Sequence, residues 1–153
     1  MTAIYDIQRD LREFWEGEPN INRISFGFFD RMAMDKTTMF PMVHFNFPEV
    51  TPQGSTANVR LEVQFLDKLD ESKEWKEGFA QGDDYHDVLN AQYYNVARLL
   101  EYVRRGTLGD YQIETQGATT QVYDTTAIPL TGWRVEFLIT IPTVVDACTY
   151  ESE

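Results

Sequence analysis

Residues 131–146, TGWRVEFLITIPTVVD, constrain the fold more than any other stretch. From Trp133 to Ile141 the residue types alternate. Trp133, Val135, Phe137, Ile139 and Ile141 fall on one side, and Arg134, Glu136, Leu138 and Thr140 on the other. A period of two marks a strand with one face on a core. Fully burying side chains this large is worth roughly 1.5–3 kcal/mol each, so the strand belongs centrally in a sheet. Gly132 punctuates its start, and Pro142, which has no N–H to donate, ends regular pairing.

The rest of the chain supplies partners for that strand. Ile4, Ile7, Leu11 and Phe14, with Trp15 beside them, recur at helical spacing over 2–16. Gly17, Glu18, Pro19 and Asn20 stop that helix. A short strand is predicted over 24–28, where Gly27 suggests a close backbone approach. A second strand covers 39–47, with Val43, Phe45 and Phe47 on one face and Met42, His44 and Asn46 on the other. The proline-rich segment 48–55 reads as a connection longer than a tight turn needs. Val59, Leu61, Val63 and Phe65 then form a clean amphipathic strand, the antiparallel partner of 39–47. Charge and glycine break all periodicity over 67–84, and Trp75 and Phe79 within it are unusual for a solvated loop and suit anchoring it on a neighbour.

The main helix is predicted over 85–105, with Leu89, Tyr93, Val96, Leu100 and Val103 as its stripe, widened by Val88 and Leu99. Asp84 and Asp87 suit its positive end, Arg104 and Arg105 its negative end, and Gly106 the position just past it. A weaker strand follows over 111–123. Strand pairs separated by a helix argue for an α+β fold: one domain, residues 1–153, with a mostly antiparallel sheet of four to five strands flanked by two main helices.

The chain has 153 residues, enough for one domain that buries about 70% of its unfolded surface. Thirteen basic against 25 acidic residues give a formal charge of −12, which opposes direct wrapping of a phosphate backbone. The single cysteine, Cys148, excludes an internal disulfide. The first residues lack the apolar run of a signal peptide or anchor, and no stretch is long enough to span a membrane, so a cytoplasmic site of synthesis and no membrane partner are expected.

Asp83, Asp84, His86 and Asp87 are the only cluster resembling metal ligands. A capped helix start with a solvated acidic turn accounts for all four. His44 and His86 are too far apart in sequence to make a dyad by themselves. Cys148 has no CxxC partner. No nucleophile elbow, dinucleotide fingerprint, P-loop or zinc spacing occurs. The expectation is a non-enzyme with no cofactor, no catalytic residue and no metal.

Several local patterns together carry a resemblance. They are the N-terminal amphipathic helix, MFPMVHFNF, VRLEVQFLDKLDE, HDVLNAQYYNVARLLEYV and LTGWRVEFLITIPTVVDAC. The layout resembles the tail-terminator and neck-connector proteins of tailed bacteriophages, and its C-terminal part is similar to tail proteins from phages of Bacteroidetes hosts, including the crAss-like group. The segment 67–84 is longer and more charged than that pattern. The resemblance implies a virion protein assembled in the host cytoplasm. It implies a homo-oligomeric ring, six-fold or twelve-fold, beside other tail, portal or connector proteins, with DNA passing through the channel unbound. Phe29, Met39, Met42, Trp75 and Phe79 lie outside the main core stripes and are the candidate interface residues, and segments 48–57 and 67–84 the candidate inter-subunit arms. The alternatives are a non-viral protein-binding module and a small enzyme using Asp83–Asp87.

Overall fold

The computed structural model describes residues 4–27, 40–69, 85–106, 111–124 and 130–142. Helix α1 (Ile4–Glu16) is followed by strands β1 (Arg23–Phe26), β2 (Met42–Gln53) and β3 (Thr56–Lys68). Helix α2 (Tyr85–Arg104) leads to β4 (Gln112–Asp124) and β5 (Leu130–Pro142). The strands form one five-stranded sheet in the order β1-β2-β3-β5-β4. Only β1 and β2 run parallel, and every other neighbouring pair is antiparallel. The architecture is α+β, with β5 flanked on both sides.

Alternation decides which face is core. Val43 and Phe45 of β2, Val59, Leu61, Val63 and Phe65 of β3, and Val135, Phe137 and Ile139 of β5 are buried together. Ile7, Leu11 and Trp15 of α1 and Val96 and Leu99 of α2 pack into the same cluster, so both helices cover one face. They are joined by the Phe14–Tyr102 stack, with ring centroids 4.0 Å apart, and by an ion pair between Arg98 and the buried Glu18 at 2.9 Å. The opposite face is polar along most of its length. At one end it carries a second apolar cluster of Met42, Leu66 and Leu130.

Four local expectations change. The segment 48–55 is mostly strand: β2 runs on to Gln53 and pairs with β3 through Gln53↔Thr56. A register shift between Asn46 and Glu49 absorbs Pro48. Among the described residues β1 pairs β2 only as far as Phe45, so both prolines lie on an edge stretch, where they are tolerated. The reversal needs only Gly54 and Ser55, with Gly54 at φ 64°. Gly27 lies just past β1 at φ 120°, with open space where a Cβ would sit, so backbone conformation, not close approach, requires it.

The apolar stripe of α2 is also rotated from the predicted one. Val88, Gln92, Asn95, Val96 and Leu99 are buried, whereas Tyr93 is 51% exposed and Leu89 and Leu100 are only half-buried. Finally, Gly132 lies inside β5, opposite Leu66. A Cβ there would meet the Phe65 carbonyl oxygen at 1.8 Å, so glycine is what lets β5 approach β3. Gly132→Ala must push the two strands apart. We expect a loss of about 1–3 kcal/mol, as for overpacked cores, read from urea melts; an unchanged midpoint would contradict the close approach.

Candidate interaction surfaces

The helices do not cover the whole core face, and the uncovered part falls at the β1–β2 edge. Phe26 is 47% exposed although its ring contacts Phe45 and Phe47 at 5.0 and 5.8 Å. The register shift in β2 keeps Val50 opposite Val59 and Pro52 opposite Ala57, on the core side of the sheet. Yet Val50 and Pro52 are both exposed. Phe26, Phe47, Val50 and Pro52 thus continue the core face into solvent.

A second group of exposed aromatics lies toward the other edge. Tyr93 of α2 stands edge-on to Trp133 of β5 at 5.8 Å, and the Trp133 indole N–H donates to the Leu89 carbonyl at 2.9 Å. Tyr123 of the edge strand β4 is also exposed, on the same face of the sheet, opposite Thr131. Exposed apolar groups therefore occur at both edges of one sheet.

Between the end of α1, the start of β2 and the first half of α2 lies a cleft of about 500 Å³. Carboxamides dominate its lining: Asn20, Asn22, Asn90, Gln92 and Asn95. The polar face of the sheet is different in character. Glu62 and Glu136 are direct cross-strand partners, a repulsive arrangement alone. Arg134 bonds both carboxylates, and Arg60 reaches Glu136 at 3.0 Å and Glu49 at 3.5 Å. Three carboxylates against two guanidinium groups leave this ladder acidic.

Of the sequence-predicted interface residues, only Met42 is among the described ones. It is fully buried within the chain with Leu66 and Leu130, so it is not a surface anchor. Strand alternation had put it on the polar face, and the small apolar cluster on that face explains its burial. Phe29, Met39, Trp75 and Phe79 lie outside the described residues, as do Asp83, Asp84, Cys148 and nearly all of the 67–84 arm. His86 and Asp87 are exposed at the start of α2, and among the described residues no cluster of metal-ligating side chains occurs. Also among the described residues, no helix is long and apolar enough to cross a membrane. The chain matches no known protein family and no curated protein.

His44, on the face of β2 away from the main core, is nevertheless buried. Its Nε2 lies 2.6 Å from the Gly27 carbonyl and its Nδ1 3.0 Å from the Ser25 hydroxyl. A carbonyl only accepts, so Nε2 carries the proton and Nδ1 accepts from Ser25. The ring fastens β1 to β2. Burial pushes its pKa down, and the bond to Gly27 opposes this less strongly. Between that lowered native value and about 6.5 in the unfolded chain, only the unfolded chain holds the extra proton. Stability from His44 is therefore complete above pH ~6.5 and declines as pH falls from there through the native value. Urea melts on either side of that pH should show the decline in the wild type and a smaller one in His44→Gln. Equal slopes in both proteins would contradict it.

Proposed function

We propose that this chain is a structural subunit of a tailed-phage virion, forming a ring at the tail or neck around the DNA channel. The observation that carries the reading is the pair of exposed apolar groups at opposite edges of one sheet. Phe26 and Val50 stand at the β1–β2 edge, and Tyr93 and Tyr123 toward β5–β4. A head-to-tail ring needs two different patches on each subunit, whereas a two-fold dimer needs only one that matches itself. The hairpin of β2 and β3 gives the first patch a rigid support. A charge of −12 and the acidic ladder on the polar sheet face suit a wall past which DNA slides without releasing its counterions. The sequence resemblance points the same way.

One variant per patch tests the arrangement. Val50→Asp and Tyr93→Ser each alter an exposed side chain, so both subunits should fold. Losing an interface anchor weakens association roughly thirtyfold, about 2 kcal/mol, so each variant alone should sediment as a monomer under conditions where the wild type forms rings. Mixing them leaves one good patch on each partner and should give dimers that cannot grow. A wild type that stays monomeric at high concentration would favour a protein-binding module. Assembly surviving in either single variant would overturn the head-to-tail contact.

A further inference from the structure

Two carboxamides occupy the buried stripe of α2 where apolar residues would pack better. Gln92 is 1% exposed and Asn95 3% exposed, set among Val88, Val96 and Leu99 on the same helix face. Asn95 Nδ2 donates to Gln92 Oε1 at 3.1 Å. Asn95 Oδ1 is buried with no donor at all. Turning both amides over only exchanges the orphaned oxygen for an orphaned N–H. A buried polar group left unpaired is costly, and in native proteins each such case calls for an explanation.

The explanation lies beside it. Both residues line the cleft between α1, β2 and α2, and so do Asn20, Asn22 and Asn90. Asn22 is already committed in part, donating to the Phe40 carbonyl at 2.7 Å. No described lining residue is charged, in a chain whose net charge is −12. Pro19, Pro41 and Tyr94 supply flat, stiff walls. The volume, about 500 Å³, lies in the range of ~300–1,000 Å³ typical of ligand sites.

We infer that this cleft is a binding site for a short, uncharged, extended stretch of peptide, recognised through its main chain. A peptide unit offers one N–H and one C=O, and a carboxamide matches both at once. Asn95 Oδ1 is closed off from solvent, so its amide would turn toward the cleft to take the ligand's N–H, the other amides would hold the neighbouring units, and Tyr94 and the prolines would flank the peptide's side chains. The inference does not depend on ring formation, since the cleft is distinct from Val50, Tyr93 and Tyr123.

Nitrogen-edited NMR of the side-chain amides provides the test, with acetyl-Gly-Ser-Gly-methylamide as the probe and maltose as the rival polar ligand. The peptide should produce saturable shifts of the Asn95 and Gln92 NH₂ resonances and weaken at least about tenfold in Asn95→Ala, the order of one to two hydrogen bonds. Gln92→Leu with Asn95→Leu should melt higher than the wild type, by roughly 2–4 °C or more, while losing the peptide. Asn95→Ala, checked as folded by its own amide spectrum, carries the binding test independently of that double variant. No saturable shift with the peptide, undiminished binding in Asn95→Ala, or tighter binding of maltose would each overturn the assignment. So would a double variant that melts lower than the wild type, because the two amides would then be structural.

Discussion

The pairing of β3 with β5 is the interaction on which the rest of the molecule depends. It runs unbroken from Thr56↔Pro142 to Lys68↔Leu130. A shift of one residue anywhere along it would turn Val59, Leu61, Val63 and Phe65 away from Ile139, Phe137, Val135 and Trp133. Two devices hold the register. The alternating apolar faces leave one pairing that buries both strands, and Gly132 admits the Phe65 carbonyl where any side chain would collide. With that ribbon fixed, β2 and β4 have one edge each to join, and both helices have one apolar face to cover.

Among the described residues, the two helices leave part of the five-stranded sheet's core face exposed, and the proposed contacts use that remainder. The far half of β2 keeps its core-side residues in solvent, and Phe26 shares that exposure. The rotation of α2 has a related effect. By burying Gln92 and Asn95 and turning Tyr93 and Tyr94 outward, it places carboxamides beside a cleft and aromatics on the surface. Each departs from what would stabilise the isolated subunit, and surfaces that serve binding commonly depart in this way. The His44 bridge to Ser25 and Gly27 serves the fold instead, securing the short parallel strand β1.

Most of the fold was legible in the sequence because its strong signals are periodic. The alternation in β3 and β5 and the glycine past α2 predicted real elements. The errors have physical causes. Pro48 and Pro52 suggested a loop, but proline is excluded only from strand positions that must donate; Pro48 falls in the register shift, and past Phe45 no described strand pairs the other edge of β2. Gly132 looked like punctuation because sequence alone cannot reveal a backbone approaching from another strand. For α2, Leu89, Tyr93, Val96, Leu100 and Val103 outscored the true face because two of its members are amides. The spacing Val88, Gln92, Val96 with Asn95 and Leu99 held that signal, visible only to a reader willing to bury amides. Of the interface candidates, Met42 was misread because it lies off the main core stripe, on the face it shares with His44 and Asn46, where a second small cluster buries it.

The central claim is that this chain is a ring subunit of a virion. Imaging purified virions that carry a label on this protein tests it most directly. The account predicts label confined to the tail or neck, coincident with a closed ring around the channel. Label absent from complete, infectious particles would contradict it.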